Sequence, residues 1–190
     1  MAEDLADKKT AALQAALELI AEQGFQGAPM SQIAERAGIG VGTIYRYFAS
    51  KDELINALYI DIKSRITRHI LCNFSESLPV QESFKKLLGA FVHYCVAHPA
   101  ELGFTEQYEN SPLITAATRA ELLQLFQPIE ELFQRAKAER LLKDLPFEMI
   151  GALIYSAVTV LAKLHLSGAV RLDDAAFEVG LDAIWDMIKR

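Results

Sequence analysis

Nothing in this chain alternates apolar and polar residues for long enough to make a half-buried strand, and no Asn-Gly or Asp-Gly pair joins two β-branched runs. Sheet architectures are thereby removed, and helices must bury the apolar residues. Leu13, Leu17 and Ile20 recur at the spacing of one helical face, with Gly24 as a stop before Phe25, which predicts a first helix over about residues 7–23. Gly27-Ala28-Pro29 breaks the chain. A short helix starting at Ala28 or Ser31 runs to Ala37, where Gly38 supplies a left-handed terminus. Gly40 and Gly42 flank a tight turn into a helix over 43–48. Ser50 and Glu53 then form a capping box for a long helix without Pro or Gly from Lys51 to Phe74.

Beyond it, prolines at 79, 99, 112 and 146 divide the chain into helices over 80–97, 100–110, 112–140 and 146–167, with a kink expected at Pro128. The last helix, 173–189, opens on Asp173 or Asp174 and carries Phe177, Leu181, Ile184, Trp185 and Ile188 on one face. The expectation is an all-α fold of about nine helices. The apolar run from Met149 to Ala162 is shorter than the roughly 20 residues that span a bilayer, so it reads as a buried helix and no membrane partner is expected. The acidic start Met1-Ala2-Glu3-Asp4 does not look like a secretory signal, which points to a cytoplasmic location with Cys72 and Cys95 reduced.

A net charge of −6 argues against coating nucleic acid through bulk charge. Any such contact must be local, and one stretch qualifies: from Arg36 to Lys51 there are basic residues at 36, 46 and 51 and no acidic one. On a helix starting near Gly42, Thr43, Arg46 and Tyr47 share one face while Ile44 and Phe48 share another. The apolar pair can anchor such a helix while the polar trio faces a groove about 12 Å wide.

The segments Ala15-Ala16-Leu17-Glu18-Leu19-Ile20-Ala21-Glu22-Gln23-Gly24-Phe25, Ile33-Ala34-Glu35-Arg36-Ala37-Gly38-Ile39, Gly42-Thr43-Ile44-Tyr45-Arg46-Tyr47-Phe48 and Ser50-Lys51-Asp52-Glu53-Leu54 resemble the head of TetR-family regulators. The resemblance implies a three-helix helix-turn-helix DNA-binding head over 1–50 and an effector-binding and dimerisation body over 51–190. By that likeness Thr43, Tyr45, Tyr47 and Lys51 contact phosphates, while Val41, Gly42 and Arg46 lie nearest base edges. Arg46 is suited either to the O6 and N7 acceptors of guanine or to a phosphate. Where the family usually has Ser or Thr ahead of helix two, this chain has Ala28-Pro29-Met30-Ser31, leaving Ser31 as the substitute cap and phosphate contact.

In the body, aromatic residues interleaved with Glu101, Glu106 and Glu109 suit either a core or a cavity for a lipophilic cation, as in multidrug-efflux regulators of the family. The expected effector contacts are Tyr59, Phe91, Tyr94, Phe104, Tyr108 and Tyr155. Likeness to the family places the last two long helices at a two-fold homodimer interface, with Leu181, Ile184, Trp185 and Ile188 as contacts, so that two heads read a palindromic double-stranded operator. The implied function is a repressor released from DNA by a small molecule. No enzyme is expected, because the chain lacks a Gly-rich phosphate loop and a nucleophile elbow. His93 and His98 do not share a helical face, so neither a metal site nor a cofactor is expected.

Overall fold

A computed structural model describes residues 2–72, 74 and 78–190, without the side chains of 2–6 and of Asp174. Ten helices cover the described residues: α1 (Ala2–Gly27), α2 (Met30–Arg36), α3 (Val41–Tyr47), α4 (Lys51–Leu71), α5 (Val80–Ala97), α6 (Pro99–Tyr108), α7 (Ala116–Leu125), α8 (Gln127–Ala138), α9 (Phe147–Leu166) and α10 (Asp174–Ile188). No strand occurs among them, and Leu142 and Lys189 form an isolated antiparallel bridge. The all-α expectation is met, with one helix more than counted from sequence.

The extra helix comes from Pro128. Instead of kinking one helix over 112–140, it splits it into α7 and α8, with Phe126 between them at φ −88°, ψ −1°. Pro128 has no N–H to donate, and its ring would clash with the carbonyl four residues back, at Gln124. Phe126 restarts the ladder by accepting from the N–H groups of Ile129 and Glu130, each at 3.0 Å.

The chain divides into two compact units, Met1–Lys63 with Ala100–Leu122, and Ser64–Pro99 with Leu123–Arg190. A cut at residue 50 does not follow this packing: the head shares its unit with the first part of α4 and with the segment carrying α6. Asn56 holds that segment. Its amide donates to the carbonyls of Asp52 (2.8 Å) and Leu113 (2.9 Å), and its oxygen accepts from the Thr115 N–H (3.0 Å) and the Thr118 hydroxyl (2.6 Å). All the hydrogen-bonding capacity of the buried amide is used, which makes it a specific tie between α4 and the 111–118 stretch.

Within the head, α1 packs on α2 and α3, and α2 on α3. Gly24 adopts φ 72° inside α1 and bends its last turn. Gly38 at φ 68° closes α2, as Ile39 N–H reaches back to the Ala34 carbonyl at 3.0 Å in a Schellman arrangement. At the start of α4, Ser50 Oγ accepts from Glu53 N–H at 3.1 Å, and Glu53 accepts from Ala49 N–H at 2.7 Å, one residue earlier than in the standard box. In the second unit α5 is central, packing on α8, α9 and α10. Phe84 is its aromatic hub, 5.0 Å from the Phe133 ring and 5.3 Å from Trp185.

Candidate nucleic-acid interface

The orientation of α3 is decided by Ile44, fully buried, and by Phe48 just past the helix end, also buried. At about 100° per residue, the exposed positions Val41, Tyr45, Gly42 and Arg46 follow one another around the helix in that order, as an arc of about 140°. Val41 is 46 % and Tyr45 50 % exposed. Thr43 and Tyr47 lie at the flank, half-buried. This corrects the expected outward trio: Arg46 faces out, but its companions are Val41, Gly42 and Tyr45. The Tyr47 hydroxyl is shut away from solvent and has no hydrogen-bond partner. Spacing of i, i+3 and i+4 groups Thr43 with Arg46 and Tyr47 correctly as neighbours, yet says nothing about which neighbour leans towards the core.

The three cations of the acid-free stretch are not equivalent. Arg36 is paired with Glu22 at 2.7 Å, and this hydrogen bond lowers the Glu22 pKa and raises that of Arg36. Lys51 donates to the Phe25 carbonyl and sits 4.0 Å from the Phe25 ring centroid, and partial burial lowers its pKa. Its expected phosphate contact therefore starts from a side chain folded back on the kinked end of α1. Arg46 is exposed and makes no ion pair among the described residues. At Gly42 a Cβ would meet nothing within 4 Å beyond its chain neighbours and its own helix backbone, so the backbone there is open to a close approach.

Ser31 lies exposed in the first turn of α2, but it does not cap the helix: the cap position is Pro29, and no side chain bonds the free N–H groups. Of the expected Ser31 roles, capping is thus overturned, because Ser31 already lies inside the helix.

The six expected effector residues fall in two groups of three, one in each unit. Tyr59, Phe104 and Tyr108 belong to the first unit and are buried. There the Tyr59 hydroxyl and the buried Lys63 ammonium both donate to one Glu109 oxygen, at 2.8 and 2.7 Å. Tyr108 packs 4.5 Å from Phe104 and 6.5 Å from Phe25, and its hydroxyl is buried without a partner. Phe91, Tyr94 and Tyr155 belong to the second unit, with Phe91 6.0 Å from Tyr155 and Tyr94 between His69 (5.2 Å) and His98 (4.3 Å). An open groove of about 700 Å³ in this unit is lined by other side chains, among them His69, Lys85, Lys86, His93 and Phe177.

The expected interface contacts Leu181, Ile184, Trp185 and Ile188 are all buried inside their own unit, Trp185 at 4 % exposure. α10 packs on α5 here, with Trp185 5.3 Å from Phe84. The large apolar residues exposed in this unit include Met149, Leu153, Val160 and Leu166 on α9 and Val179 on α10, beside Leu123 in α7 and Val170 between α9 and α10. The run from Met149 to Ala162 is thus only partly buried, and its exposed residues lie on one of the two helices that the family likeness places at the interface, although none of them was among the contacts expected from sequence.

Comparison with known proteins identifies the class to which this arrangement belongs. The family described as "Bacterial regulatory proteins, tetR family" matches residues 12–58, and "Tetracyclin repressor-like, C-terminal domain" matches residues 79–189. The chain belongs to the TetR family. It is 31 % identical over 140 residues to the HTH-type transcriptional regulator BetI of Escherichia coli, covering 72 % of this chain and 65 % of that protein. An HTH-type transcriptional regulator of Haemophilus influenzae is 29 % identical over 94 residues, half of each chain. The matches thus span about half to two thirds of these relatives. Among solved structures, a TetR-family protein from Vibrio parahaemolyticus is 29 % identical with a TM-score of 0.82, over 96 % of this chain and 99 % of that one. A TetR-family transcription regulator from Marinobacter aquaeolei superposes with a TM-score of 0.92 at 21 % identity, over 100 % and 99 %, which extends the likeness in fold to the whole chain.

Proposed function

We infer that this chain is a DNA-binding transcriptional regulator that reads a palindromic operator as a homodimer in the cytoplasm. The observation that carries the reading is the exposed arc of α3: a bare backbone at Gly42 and an unpaired Arg46 within an acid-free stretch, on a chain whose net charge is −6. A local cation on an acidic protein favours a defined site over indiscriminate binding. The relatives named as HTH-type transcriptional regulators support it. So does α9, whose exposed apolar residues need a cover that a second copy would supply.

The regulator is a repressor in this reading, released when a small lipophilic effector favours a head spacing unsuited to the operator, with a coupling of about 1 to 3 kcal/mol. Aromatic side chains offer contacts in two places, at Tyr59 beside Lys63 and Glu109 with the Phe104–Tyr108 pair in the same unit, and at Phe91, Tyr94 and Tyr155. The test is a salt-matched titration of duplexes selected from a random pool. Wild-type protein is expected to prefer the selected sequence over scrambled DNA, and Arg46→Ala to lose that preference by about 1 to 3 kcal/mol per half-site. No salt-dependent binding to any duplex refutes the reading.

A further inference from the structure

Among the described side chains of the first unit, Val41 and Tyr45 are the large apolar residues left exposed, and they stand one turn apart on α3. A lone exposed hydrophobe is ordinary. These two adjoin each other, and around the helix they are followed directly by Gly42 and then by the unpaired Arg46. The exposed arc therefore has an apolar half and a cationic half, with no carboxylate in the surrounding stretch from 36 to 51. The cationic half suits a polyanion. The apolar half needs, inside that same polyanion, something apolar to cover it.

In the major groove of duplex DNA the unmodified bases present one apolar group, the 5-methyl of thymine. Resting on the reading of this chain as a DNA-binding dimer, we propose that Val41 and Tyr45 read thymine through that methyl group, so that each operator half-site carries thymine facing the first turn of α3. Side chains four apart on a helix stand roughly 5 to 6 Å apart at Cβ, against a step of roughly 3.4 Å between stacked bases. The pair thus brackets a base step rather than a single ring. Gly42 keeps the backbone between the two halves low enough for both to reach base edges, since nothing of the chain occupies the space of its missing side chain.

The experiment is selection from two random duplex pools, one made with thymine and one with uracil in its place. Uracil lacks the methyl but keeps the O4 acceptor, so hydrogen-bond reading is untouched. The thymine pool is expected to yield a palindromic consensus with a fixed thymine in each half. Replacing that thymine by uracil is expected to weaken wild-type binding roughly fourfold per half-site, the worth of one buried methyl-sized group at about 0.8 kcal/mol, and hence more than tenfold for the pair. Val41→Ala, a substitution at an exposed site, is expected to discriminate between thymine and uracil duplexes less than wild type, with Tyr45 left as the remaining contact. Equal affinity of wild-type protein for the two duplexes overturns the proposal, and so does a Val41→Ala variant that discriminates as well as wild type. A thymine pool from which nothing is enriched overturns the DNA reading itself, a separate and recognisable failure.

Discussion

Replacing Gly42 by Ala should make this protein more stable and a worse DNA binder at the same time. Gly42 is the second residue of α3, and its backbone is not in the left-handed region, which among the glycines is reserved to Gly24, Gly38 and Gly168. A Cβ placed there meets nothing within 4 Å beyond its chain neighbours and its own helix backbone. The fold has no use for glycine at this point and pays its conformational entropy: relative to Ala, glycine costs roughly 0.5 to 1 kcal/mol in a helix. Gly42 lies in the first turn, so about 0.5 kcal/mol is the fitting end of that range, which raises Tm by about 1 to 2 °C for a chain of this length. On DNA the sign reverses. The new methyl sits between Tyr45 and Arg46 on the exposed arc, where a backbone in close contact with the groove has no room for it. An extra methylene forced into a packed contact costs about 1 to 3 kcal/mol. Two heads double the loss, so operator affinity is expected to fall by about 30-fold or more. Urea unfolding followed by circular dichroism gives the first quantity, and fluorescence anisotropy on the same preparation gives the second. A variant that is less stable, or whose affinity stays within twofold of wild type, refutes the reasoning.

Tyr108→Phe removes a hydroxyl that is buried without a partner, so at neutral pH the variant should be more stable by roughly 1 kcal/mol. Burial raises the Tyr108 pKa above its ordinary 10.0, so the folded state keeps this proton when the unfolded state has lost it. The stability of wild type should consequently fall as pH rises past 10 and on through the folded pKa, and the Phe variant should lack that part of the slope in alkaline urea titrations. Val160→Asp places a charge on the exposed apolar side of α9, and sedimentation is expected to show a monomer with an unchanged helical spectrum. A dimer that persists, or a protein that unfolds, counts against α9 as the interface.

Punctuation along the chain was the most legible part of it. Gly38, Ser50, Pro128 and Asp173 each act on the backbone through their own covalent chemistry, so they mark helix ends whatever packs nearby. Even there the structure went further at Pro128, because steric conflict with Gln124 ends the helix outright when no neighbour compensates the lost bond. The network around Asn56 was not legible: it ties together residues up to 62 apart in sequence, and no local pattern announces such a closure.

The faces of helices were legible only as periodicity, and periodicity does not say what covers an apolar stripe. Trp185 and its neighbours on α10 form as clear a stripe as the chain contains, yet α5 covers them through Phe84 within one subunit. With that face covered, the apolar residues left exposed on α9 include Met149 and Val160, at 50 % and 49 % exposure, in a run whose apolar composition read as a buried helix. The same ambiguity governs α3, where Thr43 and Val41 begin equally plausible faces and the burial of Ile44 selects between them. Both corrections have one cause. A stripe is an edge in a packing graph whose other end lies far along the chain, and only folding names that end. Gly42 shows the converse, since beyond its own helix backbone and its chain neighbours the folded chain places nothing beside it and leaves room for an outside partner.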